Sequence, residues 1–287
     1  MRVTTDDGVG LAVYDTGAGD EAQRSSTIVD EADPGTPILF LHEFGGDHRS
    51  WAPQFGHLAG RSRCVTYDAR GYPHSDVPTD PAAYSQERAV ADAVAVLDAL
   101  GIERALVVGN SMGGFATLHL GLTHPDRCVG LVVAGCGYGA APERAEAFRA
   151  DALALADAYE RDGSATVAAD YGNRPARLSL RERDEHAHDE HLRILAEHDP
   201  VGAALTMRGV QAARPSLYDL REQLATMTVP TLLVVGDRDD EAIDATLMLR
   251  RALPVADLAV LPRAGHLTNL EYPEIFTRLV ENHLAGR

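Results

Sequence analysis

The sequence predicts an α/β fold: a mostly parallel, doubly wound sheet carrying a helical insert. Three observations predict it. Short apolar runs alternate with helix-period segments up to Cys136 and again from Val229, as expected for strands buried on both faces by crossover helices. One run, Leu106-Val107-Val108, ends in Gly109-Asn110-Ser111-Met112-Gly113-Gly114, and a helix-period segment follows at once. Residues 137 to 228 carry no strand pattern and are rich in Ala, Arg, Glu and His.

Taken in order, Val9 to Tyr14 reads as a short strand after an Asp7-Gly8 turn. Residues 15 to 37, rich in Gly, Asp, Ser and Pro, read as a loop. Ile38 to Leu41 is a continuous apolar run, and His42-Glu43-Phe44-Gly45-Gly46 is the Gly-rich turn after it. Trp51 to Leu58 is a short helix, with Trp51 expected in the core. Cys64 to Tyr67 is a strand, and Asp68 to Asp76 a loop. Ser85 to Leu100 is a helix with Val90, Ala93, Val94, Leu97 and Leu100 on one face. Ser85 can cap its start, and Gly101 stands at its stop. Met112 to His124 is a helix ended by Pro125, and Val129 to Ala134 is a strand. Within the insert, helical periodicity is clearest over Ala145 to Tyr159 and Asp184 to Arg208. Alternation then resumes with strand Thr231 to Val235, helix Ile243 to Leu253, strand Leu258 to Leu261 and helix Tyr272 to Leu284.

Composition narrows the partners. The 287 residues are 45% hydrophobic, enough for a sizeable core. A formal net charge of −17 opposes nucleic acid and anionic membranes. A small-molecule substrate is expected, with no nucleic-acid or membrane partner; a homo-oligomer is compatible with the sequence. Cys64, Cys128 and Cys136 sit in apolar runs without paired spacing, which suggests buried thiols rather than disulfides or a zinc site. The first residues hold no apolar signal region, and no run approaches membrane-spanning length. A cytoplasmic protein is expected.

The Gly-Asn-Ser-Met-Gly turn carries the chemistry. A strand that reverses sharply into a helix pushes Ser111 out above the sheet, and glycines at 109 and 113 let strand and helix approach. The Met112 N–H stands at a helix N-terminus, where developing negative charge is favoured. A serine hydroxyl needs a base, and the base an orienting carboxylate. Functional groups gather beyond the carboxyl ends of the strands. One late strand ends in Asp237-Arg238-Asp239-Asp240, and the next in Gly265-His266. The order Ser, Asp, His results.

These stretches, with His42 to Gly46 and Asp68-Ala69-Arg70-Gly71-Tyr72, resemble the α/β-hydrolase superfamily over nearly the whole chain. The likeness is greatest to small esterases, enol-lactone hydrolases and C–C bond hydrolases with a helical cap. The resemblance implies Ser111 as nucleophile, His266 as base and Asp239 as acid, with Asp237 and Asp240 in reserve. It implies the N–H groups of Phe44 and Met112 as the oxyanion hole. It also implies residues 1–136 and 229–287 as the core, and 137–228 as the cap over the substrate. The expected reaction is hydrolysis of a carboxylic ester or lactone through an acyl-enzyme. C–C cleavage of a β-ketone-type substrate and a non-catalytic binding protein are the alternatives. No dinucleotide motif, P-loop or zinc spacing is present, so no cofactor and no metal are expected. His186, His188 and His191 read as a solvated polar helix face, with a metal site, from two histidines three apart on a helix, as the alternative; His42 reads as a structural residue of its loop. Glu43 stands where the family has glycine. It is expected to point away and cap or pair with a nearby group such as Arg70; the alternative is that it binds or polarises substrate.

Overall fold

One eight-stranded sheet runs through the described residues, which in this computed structural model are 1–17 and 35–286. The strands are β1 (Arg2–Thr4), β2 (Gly10–Asp15), β3 (Gly35–Leu41), β4 (Ser62–Tyr67), β5 (Ala105–Asn110), β6 (Cys128–Ala134), β7 (Thr231–Gly236) and β8 (Ala256–Leu261). Their order is β1-β2-β4-β3-β5-β6-β7-β8. β2 pairs antiparallel with β1 and with β4, and every other pairing is parallel. β1 has no counterpart in the sequence reading, because three residues are too few for a periodic signal. The loop expected over residues 15–37 lies for the most part outside the described residues.

Continuous apolar runs become central strands because successive side chains face opposite layers. Leu39, Leu41, Val107, Leu131 and Val133 belong to one core cluster; Ile38, Phe40, Leu106, Val108 and Val132 belong to another. Trp51 is fully buried in the second, against Phe40 and Phe276. All three cysteines are buried free thiols. The helix Gln86–Ala99 starts as expected: the Ser85 side chain accepts from Arg88 N–H, and Gly101 takes the left-handed conformation that ends it.

Between β6 and β7 the chain forms helices and no strand: Pro142–Asp162, Ser164–Tyr171, Pro175–Arg183, Glu185–Ala196, Pro200–Thr206 and Arg221–Leu224. The helix expected over Asp184 to Arg208 is broken in two. Asp199 accepts from the N–H groups of Val201 and Gly202 and caps a new helix whose first residue is Pro200. A third apolar cluster joins this segment to the sheet's loops, placing Phe44, Tyr72 and Met112 against Leu155, Tyr159, Tyr171 and Leu195.

The strand order reverses beside β3. The chain leaves β3 for β4 on one side and returns to β5 on the other. The loops after β3 and β5 therefore diverge, which opens a crevice at the carboxyl ends of the strands. Those two loops are His42–Gly46 and the Ser111 turn.

Candidate active site

Ser111 joins β5 to helix Met112–Thr123 with φ 53° and ψ −114°, a conformation that costs a non-glycine residue of order 1–3 kcal/mol. The surrounding packing imposes it. A Cβ on Gly109 would lie 2.2 Å from the Gly113 carbonyl oxygen, and one on Gly113 would lie 2.0 Å from that of Leu41. Only glycines let the helix start press onto both β5 and the end of β3.

Three distant side chains meet at this turn. Ser111 Oγ is 2.8 Å from His266 Nε2, and His266 Nδ1 is 2.8 Å from Asp239 Oδ2. His266 and Asp239 are buried, at 1% and 0% exposure. Nδ1–H donating to the carboxylate leaves Nε2 as the acceptor for the serine hydroxyl. Asp237 and Asp240 are exposed and make no such contact; Asp237 uses its backbone N–H to bond Leu261 O.

Two supports escape sequence reasoning. The Tyr138 hydroxyl donates to Asp239 Oδ1 at 2.9 Å, and its ring lies 4.5 Å from that of His266. Burial and the adjacent Asp239 charge push the Tyr138 phenol well above its ordinary range, so it stays a donor. Glu271 accepts the Gly265 N–H at 2.9 and 3.0 Å and the Leu267 N–H at 3.2 Å, bracketing His266. Burial raises the Glu271 carboxyl, and these backbone donors oppose the rise. A lone Tyr or Glu gives no spacing signal, and only the folded loops bring them to the site.

Of the oxyanion candidates, Met112 follows the serine directly, and Phe44 shares an apolar cluster with Met112. Met112 is the first residue of its helix, so its N–H is one of the four without an intrahelical carbonyl. Phe44 is 2% exposed, and its carbonyl accepts the Tyr72 hydroxyl at 3.0 Å. That hydroxyl is also 3.8 Å from Met112 Sδ. His42 braces the same loop: Nε2 accepts the Ala69 N–H at 3.0 Å, and Nδ1 donates to Glu43 O at 2.8 Å.

Two expectations are corrected. Glu43 does not pair with Arg70, which bonds Asp92 at 2.6 and 2.8 Å and Asp7 at 2.7 Å. Glu43 is instead buried and accepts the Ser50 hydroxyl at 3.0 Å. His188 and His191 are not on a solvated face. They are 2% and 1% exposed, because helix Glu185–Ala196 packs against Ser164–Tyr171 and Pro175–Arg183; only His186 faces water.

Ser111 and His266 line a cavity of about 410 Å³. The helical segment contributes Phe148, Arg177 and Arg214, among others. Three of the arginines lining the cavity are neutralised: Arg144 by Glu241, Arg174 by Asp151 at 2.6 Å, and Arg238 by Glu182 at 2.9 Å. Arg177 and Arg214 have no carboxylate partner among the described residues. Arg177, 3% exposed, donates to the Tyr171 hydroxyl at 2.7 Å and lies over that ring at 4.0 Å. Arg214 donates to Tyr138 O at 2.7 Å and stacks on Phe115 at 3.6 Å. Burial brings its guanidinium down to about 10, which leaves it cationic at neutral pH.

Among the described residues, one group could hold a metal: Asp47, His48, Asp68 and His74. Its donors are already engaged, since both imidazoles contact Asp68 at 2.9 Å and Asp47 holds Arg49. None of the four lines the cavity. Among the described residues, no helix is long and apolar enough to cross a membrane.

Known proteins share this arrangement of chain. The 3-oxoadipate enol-lactonase 1 of Acinetobacter baylyi is 31% identical over 244 residues, 84% of this chain and 86% of its own. The 2-hydroxymuconate semialdehyde hydrolase of Pseudomonas putida is 31% identical over 268 residues, 88% of each. The crystal structure of the enol-lactonase from Burkholderia xenovorans LB400 superposes with a TM-score of 0.82 over 99% of this chain and 100% of that one, at 24% identity. The family model described as alpha/beta hydrolase fold matches residues 36–273, and with the sheet order and the serine turn this establishes that the chain belongs to the α/β-hydrolase superfamily.

Proposed function

We propose that the protein is a serine hydrolase that cleaves a carboxylic ester or lactone of a small, carboxylate-bearing molecule. The observation that carries the reading is the unbroken relay from Asp239 through His266 to Ser111, with two 2.8 Å contacts. Ser111 Oγ attacks the carbonyl carbon while His266 Nε2 takes its proton. Asp239 stabilises the imidazolium and, with Tyr138 on its other oxygen, holds the ring in place. The N–H groups of Phe44 and Met112 receive the oxyanion, each worth about 3 kcal/mol by the measured cost of losing such a donor. His266 then protonates the leaving oxygen and the acyl–serine ester remains. Water, deprotonated by His266, attacks that ester, and the acid leaves as Ser111 regains its proton.

The helical residues 137–228 act as the cap in this reading. They supply most of the cavity wall and both unpaired guanidiniums. A cation held from water without a carboxylate is costly to the fold alone, so Arg177, buried, and Arg214, half-buried and bonded to Gln211 Oε1 and Tyr138 O, are assigned to a substrate carboxylate, for which a guanidinium is suited. The names of the 3-oxoadipate and 2-hydroxymuconate relatives describe anions of this kind.

The test is a hydrolysis panel of p-nitrophenyl esters, lactones and β-diketones, with Ser111→Ala as blank and fluorophosphonate labelling of the wild type. Ester or lactone turnover should fall by on the order of 10⁴-fold or more in Ser111→Ala. Retained activity removes Ser111 as nucleophile. Turnover confined to diketones replaces the ester reading with C–C cleavage. An unlabelled serine with no turnover favours a binding protein.

A further inference from the structure

Glu43 and His191 meet in the wall between the oxyanion loop and the helical segment. Glu43 is 1% exposed: Oε1 accepts the Ser50 hydroxyl at 3.0 Å, and Oε2 is buried with no hydrogen-bond partner. His191, on helix Glu185–Ala196, is also 1% exposed, and neither ring nitrogen has a hydrogen-bond partner. Its Nδ1 lies 3.8 Å from Glu43 Oε1. The loop makes room for both groups. A Cβ on Gly45 would stand 3.0 Å from His191 Cε1, and one on Gly46 would stand 2.2 Å from Glu43 Oε1.

An ionised carboxylate here presents a difficulty. It is out of water, no arginine or lysine pairs with it among the described residues, and it sits one residue before Phe44, whose N–H is assigned to the oxyanion. A bare negative charge there opposes the charge that the reaction develops. Buried polar atoms left without partners also destabilise the fold.

We propose that Glu43 and His191 share one proton across this contact, which removes the negative charge beside Phe44 and fastens the helical segment to the oxyanion loop. Both are positioning residues. At 3.8 Å the contact is longer than a hydrogen bond, so the proposal requires the two side chains to draw closer than they stand here. The charged and titratable groups around the pair are Arg177 on the preceding helix, His188 on the same helix, His198 beyond its end, His266 and Tyr72. Burial first, then the Arg177 charge and the neighbouring imidazoles, holds the His191 imidazole well below its ordinary range.

The kinetic consequence rests on the serine-hydrolase reading; the shared proton does not. In His191→Gln the carboxylate loses its proton partner, and kcat should fall roughly tenfold, a partial loss of one oxyanion donor. KM should change little. The double variant Glu43→Gln, His191→Gln carries no charge at the site and should recover most of that kcat. Glu43→Gln alone should lose an alkaline decline that the wild type shows. A double variant no faster than His191→Gln, or wild-type kcat in His191→Gln across pH, overturns the proposal. A second measurement uses the Ser111→Ala protein, which needs no turnover. The Glu43 carboxyl ¹³C and His191 ring ¹⁵N signals should move together in one titration step. Separate steps, or an ionised Glu43 beside a neutral His191 throughout pH 5–9, overturn it whatever the reaction proves to be.

Discussion

Arg177→Gln separates a guanidinium kept for substrate from one kept for the fold. Gln is neutral, polar and shorter, and it leaves the Tyr171 hydroxyl free to find water in the cavity. In the wild type the charge is 3% exposed, with one hydrogen bond, a buried Nε without a partner and one aromatic face. A hydrogen bond from such a cation to a carboxylate contributes about 1.5–3 kcal/mol. At about 1.4 kcal/mol per factor of ten, that is roughly 10- to 150-fold in kcat/KM. The assay compares p-nitrophenyl hydrogen adipate with its methyl-capped ester, which differ in one negative charge. The ratio of their kcat/KM values should favour the anion in the wild type and collapse by that factor in Arg177→Gln. Stability provides the opposing check. A guanidinium serving the fold through a charged network would cost about 3–5 kcal/mol when one partner is removed. Arg177 has no such network, and removing an unpaired buried charge offsets the lost ring contact of about 1–2 kcal/mol. The melting temperature should therefore hold or rise. An unchanged substrate ratio with a sharply lower Tm would refute the assignment.

Three further outcomes follow from local geometry. Tyr138→Phe removes the donor to Asp239 Oδ1 and should lower kcat roughly tenfold while Ser111 still labels with fluorophosphonate, since a charge-assisted bond is worth about 1.5–3 kcal/mol. Gly113→Ala places a methyl 2.0 Å from the Leu41 carbonyl oxygen; it should destabilise the protein by about 2 kcal/mol or more, read by urea denaturation, and impair labelling with it. The Arg70 guanidinium, through its hydrogen bonds, holds the Asp7 carboxyl well below the usual range. A depressed folded value gives stability that is present above the unfolded pKa of about 4 and lost as pH falls below it. Asp7→Asn should weaken the protein at pH 7, with the difference from wild type narrowing towards pH 2 in denaturation midpoints.

The central strands are legible because burial on both faces leaves continuous apolar runs, and the glycines around Ser111 are legible because a turn this tight tolerates little else. His266 and the aspartate cluster are readable as strand ends, but selecting Asp239 needs the family pattern; in the fold it is buried while Asp237 and Asp240 are exposed. What is not legible depends on how helices pack. Arg177 and His191 lie in polar stretches whose composition suits water. Their burial is decided by which helix covers which, and that is a tertiary fact. Glu43 is visible as a departure from the family, yet its partner is 148 residues away and on another helix.

The helical segment is also tied directly to His266. The His266 N–H donates to the Ala176 carbonyl at 2.8 Å. A Cβ on Gly265 would lie 2.3 Å from that same oxygen and 2.2 Å from Ser179 Oγ. Helix Pro175–Arg183 is therefore seated on the histidine loop with no room for a side chain between them. Arg177 is the next residue after Ala176, so the unpaired guanidinium and the imidazole share one anchor. A motion that carried this helix away would break the backbone bond that positions His266 as well as displace the cation. On the proposed reading, substrate access by moving this helix would thus dismantle the relay each cycle. On the same reading, access past Pro142–Asp162 costs less, because its cavity-lining Arg144 and Asp151 are held by ion pairs at the surface. Such pairs contribute about 0–1 kcal/mol, and their rupture leaves Ser111, His266 and Asp239 where they are.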